Sequence, residues 1–333
     1  MTAPTRARVQ RRPVHGVLLL DKPLGLSSNQ ALQKAKWLLR AEKAGHTGTL
    51  DPLASGILPL CFGAATKFSQ LQLEADKTYE TIVRLGVQTS TADAEGDVLR
   101  ERPVCCTPGQ VVQVLDNFTG VIQQIPPMHS ALKKDGKALY EYAREGHTVV
   151  REPRQVCIRD LELLDMQLDG DAPFLHLRVQ CSKGTYIRTL GEDIGEALGC
   201  GGHLVLLRRV ETGGLQLGQA ITLEQLEALE DNARLAALHP VETLLPHHRS
   251  LVLSPEESGK FLSGMRRRGD WPNADAVAVF GSQPHALLGV AQVRSGELIP
   301  ERLLSPVEIQ QILLQSAALP ALVPLSDNPI SPS

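Results

Sequence analysis

Ala44-Gly45-His46-Thr47-Gly48-Thr49-Leu50-Asp51-Pro52-Leu53-Ala54-Ser55-Gly56 is the densest polar and glycine-rich stretch of the chain. Glycines at 45, 48 and 56 let the backbone approach a ligand closely, and Pro52 stiffens the chain beside Asp51, the one carboxylate of the stretch. Such a loop can position a single carboxylate. The residues alone equally allow a turn in which Asp51 caps neighbouring amides. A phosphate loop is excluded, because no Gly-Lys-Ser/Thr ending or matching glycine spacing follows. An aspartyl-phosphate ATPase is excluded too: there the Asp precedes Lys-Thr-Gly-Thr, whereas Asp51 follows Thr-Gly-Thr.

Outward from this loop, His15–Leu20 reads as a short buried strand. Ser28 is expected to cap a helix carrying Ala31, Leu32, Ala35, Leu38 and Leu39 at helical spacing. Residues 43–56 read as loop throughout, and Ile57–Phe62 as a strand interrupted by Pro59. Tyr79–Leu85 is rich in strand formers, and the Thr-, Asp- and Gly-rich turn at 89–97 follows it. Asp93 and Asp97 in that turn read as caps before they read as cation ligands. Helical spacing returns at 109–118, and Ile125-Pro126-Pro127 breaks the chain. Residues 128–155 are polar and basic with little core pattern, a long excursion of a kind that is usually functional or disordered. A strand at Leu175–Cys181 passes through Ser182-Lys183-Gly184-Thr185-Tyr186 into a helix with Ile187, Leu190, Ile194 and Leu198 on one face and Gly199 as its stop. Arg188 falls in the first turn of that helix, where the dipole disfavours a cation and an anionic partner would offset the cost. A purely structural salt bridge is the plainer account of it. His203–Val210 is another strand.

Residues 243–255, with two prolines, read as a linker. Ala276–Phe280 and Leu287–Val293 are strands of a small β module, and the Pro- and Ser-rich tail from about 316 reads as disordered. The fold class is therefore α+β: mixed sheets with flanking helices, then a small β-rich module. The length of 333 residues suits two domains.

With 42% hydrophobic and 21% charged residues the composition is that of a globular protein. No apolar run approaches the roughly 20 residues of a membrane span, and Arg6, Arg8, Arg11 and Arg12 are followed by no secretory apolar stretch. Six cysteines without a Cys-x-x-Cys pair suggest reduced thiols and a cytoplasmic location. Cys200 and His203 lack a second pair of ligands, so no metal site is expected. The adjoining Cys105-Cys106 read as filler, and His247-His248 as solvated. The net charge of −3 hides an uneven distribution. Residues 1–75 carry ten Lys and Arg against four Asp and Glu, and 129–159 carry seven against four. A polyanion responds to such local patches, although solvated surface charge is the plainer account of them.

Several segments, taken together, resemble one family. Leu20-Asp21-Lys22-Pro23-x-Gly25-x-Ser27-Ser28, Gly45-His46-Thr47-Gly48-x-Leu50-Asp51-Pro52-x-Ala54-x-Gly56 and Lys183-Gly184-Thr185-Tyr186-Ile187-Arg188 closely resemble the TruB family of tRNA pseudouridine-55 synthases. Lys77-x-Tyr79, Asp93 and Leu206-Leu207-Arg208-Arg209 follow in family order. The resemblance covers about 14–250 and, loosely, the remainder.

It implies a pseudouridine synthase catalytic domain over 14–248, after a flexible basic arm at 1–13. It also implies a thumb-like insertion at about 128–155 that closes on RNA, and a PUA-like domain over 250–315 followed by the tail at 316–333. Met265-Arg266-Arg267-Arg268-Gly269 is the feature that would give that last domain an RNA contact. The implied reaction isomerises uridine 55 in the T loop of tRNA, with no cofactor, no guide RNA, no obligate protein partner and a monomeric enzyme. Asp51 is the implied catalytic carboxylate, Arg188 its partner, and Tyr79 the tyrosine that stacks on the flipped base and removes the C5 proton. His46 is implied to fill the space the base vacates. Tyr186 and Leu207 would wall the pocket, Asp93 organise it, and Lys22 either brace its turn or contact phosphate. Two other readings compete: an RNA-binding chaperone that refolds tRNA with catalysis secondary, and an enzyme acting on rRNA with guide RNAs. The basic insertion favours stand-alone tRNA recognition over the second of these.

Overall fold

The computed structural model describes residues 10–130, 132–147 and 149–318. Its frame is a ten-stranded mixed sheet. Across that sheet the strands run Ile221–Thr222, Gly16–Lys22, Ala54–Phe62, Gly202–Thr212, Lys77–Leu85, Phe174–Cys181, Arg154–Gln167 and Gly120–Gln124. Ala44–His46 adds to Ala54–Phe62, and Leu215–Gln216 to Gly202–Thr212. Gly202–Thr212 lies parallel to Ala54–Phe62 and antiparallel to Lys77–Leu85.

Both faces of the sheet are covered, which explains why its first strand is apolar at nearly every position. Because side chains alternate along a strand, Leu18, Leu20, Leu58 and Leu60 face one core, and Val17, Leu19, Ile57 and Cys61 face the other. The first core is closed by helices Ser28–Leu38, Pro108–Asn117 and Ile187–Ala197. The second is closed by the C-terminal module, whose Phe261, Val277, Val279 and Leu298 pack into it. That module is a five-stranded sheet in the order Arg249–Leu253, Ala274–Ser282, His285–Arg294, Glu297–Leu303 and Arg267–Arg268.

Four expectations are corrected. The helix begins on Ser27: its Oγ accepts from Gln30 N at 3.2 Å, and Gln30 Oε1 accepts from Ser27 N at 2.8 Å. Residues 43–56 are not all loop, since Ala44–His46 and Ala54–Phe62 pair as a hairpin and leave the Asp51 turn between them. The linker at 243–255 contains the strand Arg249–Leu253 and ends in the helix Pro255–Leu262. Pro255 sits at the first helical position, where its missing N–H costs nothing. Finally, the helix Pro306–Ala318 occupies the approach to the expected tail; residues 319–333 lie outside the described residues.

Of the expected arm, residues 1–9 also lie outside the described residues, whereas 10–13 are held. Arg12 bridges to Ala41 and makes two 2.8 Å contacts with Asp231. The flexible reading does not extend to them. In the excursion at 128–155, the described residues form a small hairpin, Lys133–Lys134 with Lys137–Ala138, and the helix Leu139–Arg144. Lys137 lies over the Tyr142 ring at 4.7 Å. Among the described residues no helix is long and apolar enough to cross a membrane.

Candidate active site

The Asp51 turn is pinned from both sides. Ser28, buried at the start of its helix, accepts from Leu50 N at 2.7 Å and donates to Leu50 O at 3.0 Å. Gly25 N donates to Pro52 O at 2.8 Å, and Ala54 N to Asp51 O at 3.0 Å. The segment from 20 to 28 thus serves as the brace of the Asp51 turn. Lys22 fixes the brace in turn, donating to Pro23 O at 2.8 Å and Leu26 O at 2.6 Å from a fully buried position. Burial lowers its ammonium to about 8, with Asp51 opposing the fall. Its donors are spent on carbonyls beneath the turn, which supports the bracing reading of Lys22 over the phosphate contact.

Gly56 shows why glycine is required where the turn returns to the sheet. Its φ is +103°, and a Cβ there would stand 2.2 Å from the Arg209 carbonyl oxygen of the neighbouring strand.

Arg188 lies in the first turn of Ile187–Ala197 and is only 5% exposed. Its guanidinium meets Asp51 Oδ2 at 2.8 Å and Asp93 Oδ2 at 3.3 Å. It also donates to His129 O at 2.8 Å and Thr91 O at 3.4 Å. Two carboxylates and two carbonyls supply the anionic environment that a cation at this helix end requires. Asp93 is 1% exposed and also accepts from Glu95 N at 3.0 Å and from Thr91 Oγ1, so it holds Arg188 from behind. The Asp51 side chain is 38% exposed, open to a ligand. The entry to the helix is set by a residue the sequence reading missed: Gln124 accepts from Tyr186 N at 3.0 Å and donates to Tyr186 O at 3.2 Å.

Asp51 and Arg188 open on a cleft of about 260 Å³ that Tyr79, Tyr186 and Leu207 also line. That is just below the roughly 300–1,000 Å³ of pockets for drug-sized ligands, and suits one nucleobase. Asp51 is the sole carboxylate among the lining residues, which include the cations Lys77, Arg188 and Arg209. Burial pushes the phenols of Tyr79 and Tyr186 up. For Tyr79 the opposing influence is Arg209, its direct partner across the strand pair. Lys77 is 8% exposed, and burial lowers its ammonium to about 8. It donates to Leu73 O at 2.9 Å and to Ala75 O.

His46 is not a wall of this cleft. It ends the short strand Ala44–His46, half-buried, with Nδ1 unpartnered, and burial followed by Arg209 lowers its pKa. Of the eight residues singled out from sequence, four besides Arg188 line the cleft with it: Asp51, Tyr79, Tyr186 and Leu207. Asp93 stands one contact behind it, and His46 and Lys22 stand outside it.

Comparisons with known proteins give the family. The description "TruB family pseudouridylate synthase (N terminal domain)" matches residues 36–187, and "tRNA pseudouridylate synthase B C-terminal domain" matches 188–246. The chain is 60% identical over 316 residues to tRNA pseudouridine synthase B of Verminephrobacter eiseniae (strain EF01-2), covering 94% of this chain and 96% of that protein. It is likewise 60% identical over 303 residues to the Ralstonia nicotianae (strain ATCC BAA-1114 / GMI1000) protein of that name, covering 90% and 96%. Among solved structures, a Cbf5-Nop10-Gar1 complex matches with a TM-score of 0.66 and 26% identity, covering 92% of this chain and 89% of that one. An H/ACA RNP bound to a substrate RNA containing 2′-deoxyuridine shares the fold, with a TM-score of 0.65. The chain belongs to the TruB family of pseudouridylate synthases.

Proposed function

We propose that this chain isomerises uridine 55 in the T loop of tRNA to pseudouridine, acting in the cytoplasm as a monomer without guide RNA or protein partner. The observation that carries the reading is the half-open Asp51 carboxylate, ion-paired at 2.8 Å with a buried arginine in a base-sized cleft. The tRNA substrate is supported by relatives whose name is tRNA pseudouridine synthase B.

The reaction breaks the C1′–N1 bond of a uridine, turns the base and rejoins it through C5. It consumes no electrons, phosphate or water, so it requires no cofactor. Reaching the glycosidic bond requires the base to leave its stack, at a cost of a few kcal/mol. Stacking on an aromatic side chain returns roughly 1–3 kcal/mol per base, and the lining of the cleft by Tyr79 supports that role for its ring. Asp51, ionised against Arg188, either attacks C1′ or takes a sugar proton. Arg188 fixes the carboxylate's direction, and Asp93 keeps Arg188 from turning away. Burial pushes the Tyr79 phenol up and Arg209 opposes the rise; late in the reaction the Tyr79 hydroxyl removes the C5 proton. His46 acts in binding, by filling the space the base leaves.

The exposed lysines of the hairpin at 133–138 suit the insertion to phosphate contacts along the T stem. Recognition then runs through loop shape and splayed bases, as is usual for RNA. A bare T stem-loop RNA, tritiated at uridine C5, tests the reading without any partner. Release of one tritium per RNA is expected, and none from an RNA in which only position 55 is cytidine. Release that persists after that replacement would overturn the assignment of position 55.

A further inference from the structure

Arg209 has the largest of the fully buried side chains among the described residues, at 1% exposure, yet no carboxylate pairs with it. Its Nε donates to Ile57 O at 2.8 Å, and its Nη2 has no hydrogen-bond partner. The cleft has two arginines. Arg188 holds two carboxylates, whereas Arg209, among the described residues, has no carboxylate within ion-pairing distance. Arg209 stands directly opposite Tyr79 across the antiparallel strand pair, so both side chains project on one face of the sheet. Its Nη1 reaches toward Gly48, where a Cβ would be 3.6 Å away, and Gly48 and Arg209 both line the cleft.

A buried guanidinium with an unmade hydrogen bond is costly to keep. Arginine cannot relieve that cost by losing its proton. The fold preserves the arrangement in the lining of the cleft, which suits a site whose anionic partner arrives with the reaction and not with the fold.

We infer that Arg209 stabilises the detached uracil anion, donating from its Nη groups to a base carbonyl oxygen while the base is between its two attachments. The inference rests on the reading of the cleft as a pseudouridine-forming site. When the C1′–N1 bond breaks, its electron pair stays on the base. The base then carries one negative charge, spread over N1, O2 and O4, while C1′ is bonded to the Asp51 carboxylate or the sugar has given Asp51 a proton. The base turns, and C5 supplies the pair for the new C1′–C5 bond, releasing Asp51 or recovering its proton. C5 loses its hydrogen as a proton, N1 gains one, and the balance is an isomerisation. Neutral uracil accepts from a cation through a dipole only, whereas the anion accepts with both partners charged. The arginine therefore favours the separated state over bound substrate, which accelerates the chemical step.

Single-turnover conversion by the full chain, with tRNA binding measured alongside, tests this. Arg209→Gln is expected to slow conversion by about 10²–10³-fold, the usual effect of removing one preorganised donor, with RNA affinity within about threefold of wild type. Arg209→Lys keeps the charge without the planar donors and falls between the two. Should Arg209→Gln fail to fold, the lysine variant carries the same comparison. Replacing the target uridine by 2-thiouridine or 4-thiouridine, which keep the C5 hydrogen but weaken one carbonyl acceptor, is expected to shrink the defect of either variant with one of the two. An equal defect on all three nucleosides would overturn the inference. So would a loss confined to affinity with a salt dependence reduced by about one charge, the signature of a phosphate contact. A wild-type protein that converts no uridine would instead refute the reading of the cleft itself.

Discussion

At the scale of single residues, the site is governed by the arithmetic of buried charge. Arg188 serves two carboxylates, one exposed and one buried, and the buried one cannot do without it. Replacing Arg188 by Met strands Asp93, whose other partners are Thr91 Oγ1 and one backbone amide. The expected loss of stability is about 3–5 kcal/mol by urea unfolding, and the double variant Arg188→Met/Asp93→Asn should recover most of it. A loss under about 1 kcal/mol would mean that water reaches Asp93 freely. Asp51 and Arg188 were legible in sequence because their motifs are specific, and the first-turn arginine called for an anion. Arg209 was not. Arg208 and Arg209 are adjacent, and an alternating strand sends one inward and one outward. The register decides which: Arg208 reaches Asp21 at 2.7 Å near the surface, and Arg209 enters the core.

At the scale of elements, the helix Ile187–Ala197 both delivers Arg188 and carries a destabilising group. Burial pushes the Asp193 carboxyl up to about 6, helped by Glu192 and Glu196. Below about pH 4 the group is protonated in both folded and unfolded chains and has no effect. As pH rises through about 6, the folded state must carry a charge it disfavours, and stability is lost. Asp193→Asn is therefore expected to raise stability at pH 7.5 by about 1–2 kcal/mol, with allowance for partial exposure, and to change nothing near pH 4. A gain of equal size at both values would point to packing instead of charge. Other elements resisted reading for identifiable reasons. The helix Pro306–Ala318 shows no clear stripe, because Leu314 and Val307 face solvent while Ile309 is buried. The strand Arg249–Leu253 lies beside prolines that suggest a linker, although one of them starts a helix. The hairpin around Asp51 was hidden because Ala44–His46 is only 3 residues long and Gly56 falls near the start of Ala54–Phe62.

At the scale of the whole molecule, the C-terminal module is part of the catalytic frame's own packing. Val17, Leu19, Ile57 and Cys61 share one core with Phe261, Val277 and Leu298. The last helix returns to the first strand, where Gln315 Nε2 donates to His15 O at 2.7 Å and Gln315 Oε1 accepts from His15 N at 3.0 Å. A chain ending at residue 248 would expose that apolar face of the sheet and is expected to aggregate or bind a hydrophobic dye. Recovery of a soluble truncated chain with a cooperative melt would contradict the shared core. The α+β class and several of the strands were readable from apolar runs and alternation, whereas the 14-residue strand Arg154–Gln167 was not. The sharing of a core by both ends of the chain was not, since no local pattern records which buried face meets which.

The central claim is that Asp51 performs the bond rearrangement while the rest of the cleft holds and turns the base. The most direct measurement is tritium release from a T stem-loop labelled at uridine C5, run with wild type and Asp51→Asn beside a binding assay on the same RNA. The account predicts release by wild type, background release by Asp51→Asn, and comparable binding by both. Release by Asp51→Asn at a rate near that of wild type would contradict it and return Asp51 to the role of a turn cap.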